Sequence, residues 1–243
     1  MRARAFLGLI RSLAIYYNPR RSRQLRQFYR GLLQPGALAF DIGAHVGNRA
    51  RAMRAAGARV VACEPQEPFA TFLRRSLPRD IVLVEQAVGP TEMMAQMDVS
   101  SLHPTVSSLS RDFAAQAAQA PGFGHVRWDR RQQVRMTTLD RLIAQHGLPD
   151  FVKIDVEGFE RDVLAGLSQP LPLLSVEYLP AFRDRTLAVL DLLEALGDYR
   201  FNAVAGEAAE FLWPDWRDAG AVRGWLAGLS ADGGSGDLYA RLN

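Results

Sequence analysis

The run Leu38-Ala39-Phe40-Asp41-Ile42-Gly43-Ala44-His45-Val46-Gly47-Asn48 passes from apolar residues through an acid into two glycines, then opens into an Ala- and Arg-rich segment, Arg49 to Ala56. This pattern is a buried strand, a tight turn and a helix. Gly43 and Gly47 permit positive φ or close approach of the backbone to a ligand, and the first turn of the helix directs unpaired N–H groups at the same place. A second apolar run, Arg59-Val60-Val61-Ala62-Cys63, ends in Glu64. An acid at that distance from the first strand stands where a doubly wound sheet takes the two hydroxyls of a ribose.

The spacing also excludes ligands. A dinucleotide turn reads G-x-G-x-x-G, and His45 occupies the position of the glycine that admits a pyrophosphate; nor does Gly-Lys-Ser/Thr follow, as a P-loop requires. Asp41 ahead of such a turn suits the ammonium of a nucleoside that carries an amino acid, which makes S-adenosylmethionine the expected cofactor. Gly43, Ala44, Gly47 and Asn48 form the turn expected around it. Further along, Ile81 to Glu85 predicts a third strand, and its end at Gln86-Ala87 is expected beside the adenine.

At 243 residues and 48% hydrophobic, the chain can fill the core of one α/β domain. Cys63 is the only cysteine and lies in an apolar strand, so neither disulfides nor a zinc finger is expected, and a reducing, cytoplasmic setting is compatible. The first 30 residues hold eight arginines and no acid, leaving the remainder net acidic. Phe6, Ile10, Leu13 and Tyr17 recur at helical spacing, with Arg4 and Arg11 on the other side. Residues 1–20 therefore read either as an amphipathic helix on the inner face of a membrane or an acidic partner, or as a helix packed on the domain with a solvated basic face. No stretch has the ~20 apolar residues of a transmembrane helix. Leu25, Phe28, Tyr29, Leu32 and Leu33 form a second helical stripe, so residues 1–36 are expected as a helical extension and 37–243 as the main domain.

Residues 90–136 break the alternation of strand and helix. A strand near Met94 to Val99, an Ala/Gln segment from Phe113 to Ala120 and a short strand through Val134 to Met136 make an insertion suited to covering a site. Trp128 reads as a half-buried side chain rather than a stacking platform. After a helix beginning at Thr138 come Phe151-Val152-Lys153-Ile154-Asp155-Val156-Glu157-Gly158-Phe159-Glu160. In a regular strand Lys153, Asp155 and Glu157 would share one face. Lys153 is the only lysine, and a buried ammonium needs a carboxylate, here Asp155 or Glu177. Asp155 and Glu157, at the carboxyl end of the strand, are the candidate catalytic acids; Glu160 is expected to cap the next helix. No metal ligand is assigned. Later segments predict strands over 171–178, 199–205 and 238–242, a helix over 186–196 and a loop at Gly233 to Gly236.

These motifs, with Ala87-Val88-Gly89, Ser107-Ser108-Leu109 and Thr138-Leu139-Asp140, resemble the FkbM family of S-adenosylmethionine-dependent methyltransferases over about residues 36–205. The resemblance implies a class I methyltransferase fold, a Rossmann-like α/β, doubly wound sheet of seven strands with the last antiparallel, and O-methylation of a hydroxyl on a saccharide or polyketide-like acceptor. Such proteins are usually bacterial. The other readings are a catalytically inactive protein of this fold that docks through its basic helix, and a nucleic-acid methyltransferase. The latter is disfavoured because Asp155-Val156-Glu157-Gly158 is not the Asn/Asp-Pro-Pro-aromatic turn used on base amino groups, and no nucleic-acid partner is expected.

Overall fold

A computed structural model describes residues 2–119 and 124–243. Two helices lead, α1 (Arg2–Tyr16) and α2 (Pro19–Leu32). Asn18 separates them, its side chain accepting from the Arg20 N–H at 2.9 Å while Pro19 fills the first helical position. There follow β1 (Leu38–Ile42), α3 (Asn48–Ala55), β2 (Arg59–Cys63), α4 (Phe69–Ser76) and β3 (Ile81–Val84), then β4 (Ala87–Val88), β5 (Met93–Val99), α5 (Arg111–Ala117) and β6 (Arg130–Thr137). The last third holds α6 (Leu139–His146), β7 (Phe151–Ile154), α7 (Glu160–Leu164), β8 (Leu173–Tyr178), α8 (Arg183–Leu196), β9 (Tyr199–Ala205), α9 (Ala219–Gly228) and β10 (Gly236–Leu242).

Seven strands form one sheet in the order β3-β2-β1-β7-β8-β10-β9, with β10 antiparallel to both its neighbours. This is the doubly wound sheet with an antiparallel last strand that the family resemblance implies. Its order reverses beside β1, which pairs in parallel with β2 on one side and β7 on the other, so Asp41 is flanked by Ala62 and Lys153. A crevice opens at the carboxyl ends of strands at such a point. On one face Phe40, Ile42 and Val152 meet Leu139, Val163, Leu190 and Val222; on the other Ala39 and Phe151 meet Leu25, Tyr29, Ala50 and Met53. The alternation along each strand sends successive side chains to opposite helical layers.

The insertion builds a separate three-stranded sheet, β4-β6-β5. The strand expected at Val134 to Met136 extends over Arg130–Thr137, because arginines and glutamines occupy its solvent-facing positions and hide the period. The Ala/Gln helix is α5; Ala120, at the end of the expected segment, lies outside the described residues. The fifth and last core strands begin at Leu173 and Gly236, and α8 begins three residues early, at Arg183. Helix α9 was not expected from Ala219-Gly220-Ala221-Val222-Arg223-Gly224. Asp218 starts it by accepting from the Ala221 N–H at 2.8 Å, and Val222 and Leu226 anchor it in the core.

Helix α1 corrects the reading of its apolar stripe. Leu9 and Ser12 are buried and, with Leu13 and Tyr16, seat the helix beside Val46 and Phe69, whereas Phe6 and Ile10 point to solvent. Helix α2 is more deeply engaged. Tyr29 is fully buried, its ring 5.9 Å from that of Phe151. Tyr29→Ala should cost ~3–5 kcal/mol by urea unfolding. Tyr29→Phe keeps the ring and removes a buried hydroxyl that has no partner, so its stability should equal or exceed that of the wild type.

Candidate active site

The turn after β1 carries three residues of positive φ: Gly43 at 86°, His45 at 50° and Gly47 at 75°. The Gly43 and Ala44 N–H groups both donate to the Cys63 carbonyl at 3.0 Å, which ties the turn to the end of β2. On the other side the Asp155 N–H donates to the Ile42 carbonyl at 2.9 Å, and a Cβ on Gly43 would lie 1.9 Å from the Asp155 carbonyl oxygen. Gly43 is thus needed for close approach as well as for its backbone angle. The two motif turns are in direct contact.

Between them lies a cavity of about 340 Å³, within the usual range for small-molecule sites. Asp41, Gly43, Ala44, Asn48, Glu64, Gln86, Ala87, Asp155 and Glu157 all line it. Gly47 stands behind the wall, packed against Leu73 and Leu77, so among the predicted turn residues its part is structural. Sequence reasoning missed Tyr16, Arg49 and Glu207, which also line the cavity, and treated Glu177 only as a partner for Lys153.

Glu64 is almost completely buried. One carboxylate oxygen accepts from the His45 N–H at 2.6 Å and the other from the Gln66 N–H at 2.8 Å. Burial pushes its pKa up to about 8, with those two N–H groups opposing the rise. Asp41 is 2% exposed, and its Oδ2 has no donor among the described residues. Burial raises it to about 6 against the pull of Lys153 and Arg49. Burial likewise lowers His45 to about 4, leaving a neutral imidazole with its ring 4.4 Å from Phe69 and 5.3 Å from Tyr16.

Lys153 is completely buried, and its ammonium bonds Asp237 at 2.8 Å and Asp155 at 3.1 Å. The expected pair with Asp155 forms; Asp237 of β10 takes the place anticipated for Glu177. The network continues from Asp237 to Arg49 at 3.3 Å and from Arg49 to Glu207 at 3.2 Å. Burial works against the charged form of Asp155, but Lys153 and Arg49 outweigh it and hold the carboxyl below its usual range.

β7 ends at Ile154, so the regular alternation expected through Glu157 does not occur. Glu157 instead adopts a φ of 53°, uncommon outside glycine, and this turn brings its carboxylate together with those of Asp155 and Glu177, within 4.8 Å of one another. Burial followed by repulsion from Asp155 raises Glu157 well above the ordinary range; burial and Glu157 do the same to Glu177. Three oxygens so spaced could also serve a hard divalent cation. Glu160 differs from its expected role: its carboxylate accepts from Val156 and Gly158 N–H at 3.2 and 3.1 Å, stitching the turn rather than capping α7. Ser108 closes the same turn, its hydroxyl donating to the Glu157 carbonyl at 2.6 Å. Trp128 is half-buried as read, its indole N–H donating to the Val106 carbonyl at 2.9 Å.

The chain matches the model of the methyltransferase FkbM domain over residues 41–227, more than half its length. It belongs to the FkbM methyltransferase family. The family's methyl donor is S-adenosylmethionine, as expected from the first turn. No curated protein matches the chain. Among solved structures it is similar to a TehB-like methyltransferase from Corynebacterium glutamicum (12% identity, TM-score 0.47, covering 96% of this chain and 94% of that one). It is also similar to an O-methyltransferase from Bacillus cereus in complex with SAH (12%, 0.45, 97% and 90%) and to a precorrin-6y C5,15-methyltransferase from Geobacter metallireducens (15%, 0.43, 90% and 87%). Likenesses of this size do not bear on the acceptor.

The contact between the two turns gives a direct test. Gly43→Ala should destabilise the protein by ~3 kcal/mol or more in urea unfolding, since the new methyl must displace the Asp155 carbonyl.

Proposed function

We propose that this methyltransferase transfers the methyl group to a hydroxyl of a saccharide or a related polyhydroxylated acceptor, with Asp155 and Glu157 handling the proton. The observation that carries the reading is the convergence of Asp155, Glu157 and Glu177 at the carboxyl ends of β7 and β8, beside the turn expected to receive the donor. When bound, S-adenosylmethionine supplies an electrophilic methyl carbon on a sulfonium. Glu64 is assigned to the ribose hydroxyls, and the unpartnered Oδ2 of Asp41 to the ammonium of the amino-acid portion. Gln86 and Ala87 are assigned to the adenine side, and Gly43, Ala44 and Asn48 to the edge of the turn.

On the acceptor side the carboxylates orient the hydroxyl in line with the methyl carbon. One carboxylate would take the hydroxyl proton as the methyl group supplied by the donor passed from sulfur to the acceptor oxygen. Asp155, held ionised by Lys153, suits orientation through charge. Glu157 has the raised pKa of a stronger base. The cavity's concentration of acceptor groups fits a ligand rich in hydroxyl donors, and the buried Cys63 fits a cytoplasmic setting.

Incubation with radiolabelled S-adenosylmethionine and envelope glycan fractions tests the acceptor class. With an acceptor in hand, Glu157→Gln should lower kcat by ~10² to 10⁴ while donor affinity holds; Asp155→Asn should do so to a similar or smaller degree. Normal turnover in both would place the base in the 90–136 insertion. A base must be ionised to act, so wild-type kcat should rise with pH through the titration of Glu157, and the rise should flatten in Glu157→Gln.

Glu64 gives a second pH-linked test. In the free protein at pH 7 it is largely protonated, being raised to about 8, and accepting two hydroxyls favours its ionised form. Donor binding at pH 7 should therefore release close to one proton, seen as a buffer-dependent enthalpy in calorimetry. Affinity should strengthen between pH 6 and 8. Glu64→Gln should abolish the release and weaken binding by ~2 kcal/mol.

A further inference from the structure

Helix α1 has two faces of different use. The buried one is closely fitted: a Cβ on Gly8 would lie 2.3 Å from the Ser101 carbonyl, Leu9 and Ser12 are covered, and Tyr16 reaches the cavity. Burial, with Glu207, Asp155 and Glu157 nearby, raises the Tyr16 phenol and keeps it neutral. The other face is apolar and exposed. Phe6 is 59% accessible, Leu7 56% and Ile10 47%, and with Ala14 they fall within about 100° of the helical circumference. Arg4 and Arg11 border this sector. The Arg11 guanidinium bonds the carbonyl of Leu102, a side chain that is itself 44% exposed. Exposed large apolar side chains grouped on one helix mark a docking surface.

Charge selects the occupant. Residues 2–30 carry arginines without an acid; Arg20, Arg21 and Arg23 of α2 are exposed and, among the described residues, join no ion pair. An apolar stripe bordered by arginines is the pattern of a helix lying in the interface of an anionic bilayer, where arginines near the surface strengthen binding. The helix stays seated on the protein while its outer face is free. On its inner side the helix contacts the segment Pro104 to Val106, and Tyr16 and that segment together form part of the cavity wall.

We propose that α1 docks the protein on an anionic lipid bilayer, and that the acceptor is a hydroxyl compound anchored in that bilayer, methylated in the cavity behind the helix. The second half rests on the methyl-transfer reading; the first does not. Tyr16 of the same helix lines the cavity, so docking through the exposed stripe brings the cavity toward the lipid headgroups. An acceptor with an apolar anchor then meets the site without leaving the membrane, and Tyr16 is the helix's contact with it.

Co-sedimentation of the full chain with vesicles of phosphatidylcholine containing 30% phosphatidylglycerol tests the docking. Binding should be at least tenfold stronger than to phosphatidylcholine alone and should fall in 0.5 M salt. Phe6→Gln/Ile10→Gln, changed only at exposed positions, should lose tenfold or more of this binding with an unchanged circular dichroism spectrum and donor affinity. Equal binding to both vesicles, undiminished binding by the double variant, or retention by immobilised polyglutamate without vesicle binding would overturn the docking. For the acceptor, membranes incubated with the enzyme and labelled donor should carry the label in the organic extract, and the double variant should lose it. Label confined to the aqueous phase would overturn the anchored acceptor. Failure of the wild type to bind donor in calorimetry would count against the methyl-transfer reading and leave the vesicle result standing.

Discussion

An ammonium without access to water lies in the central strand β7, and much of the site follows from how its charge is met. Lys153 sits opposite Asp41 in the register with β1 and is held by Asp155, from its own strand's end, and Asp237, from the antiparallel β10. Leaving that ammonium unpaired would cost several kcal/mol, and removing either carboxylate leaves a charge with incomplete compensation. The pair with Asp155 fixes the carboxylate at the floor of the crevice. The pair with Asp237 passes the constraint to Arg49, and through Arg49 to Glu207 on the far rim. Helix α3, the central strand β7 and β10 are thereby tied to one another by charges as well as by apolar packing.

The acids around the cavity are chemically alike in sequence and unlike in place. Asp155 has a buried cation at 3.1 Å and stays ionised; Glu157 and Glu177 face it, and each other, without a cation of their own. Glu64 has two N–H donors yet is so enclosed that the neutral form still gains. One site therefore holds carboxyls whose environments drive their titrations apart, which is the arrangement acid–base chemistry requires. The repulsion between Glu157 and its neighbours is kept in being by the turn. A φ of 53° at Glu157 is maintained by the Ser108 hydroxyl on its carbonyl and by Glu160 on the flanking N–H groups.

The seven strands and the crevice were legible because their signals are local. A buried parallel strand is a short apolar run, and its end is marked by an acid or a glycine, as at Asp41, Glu64, Asp155 and Glu177. What escaped the reading depends on long-range placement. Nothing adjacent to Asp237 shows that it meets Lys153, 84 positions away, and Arg49 resembles any surface arginine of a helix until Asp237 is brought over it. α9 escaped because three glycines in ten residues mask an apolar set that only the core makes decisive. Glu160 was read as a cap because sequence shows its distance from the helix start, not the turn it folds back upon. For α1 the helical period is legible but the covered face is left open, since a helix with apolar residues on both faces gives no local sign of which face the domain will cover.

That last ambiguity follows from what the helix faces. A helix that only packs needs one apolar sector; α1 has Leu9, Leu13 and Tyr16 inward and Phe6, Leu7 and Ile10 outward. The inner sector meets Val46 and Phe69, beside the very turn that opens the crevice, and Tyr16 stacks edge-on to His45 of that turn. The helix that bears the exposed apolar face thus also contacts the residues framing the cavity. The insertion stands on the same side, with Pro104 to Val106 against α1 and Ser108 on the Glu157 turn. Helix α1 and the insertion thus meet beside the cavity. On the proposed reading the donor rests on the ends of β1 and β2, in the interior of the sheet, and acceptor choice would fall to α1 and the insertion, which lie outside it.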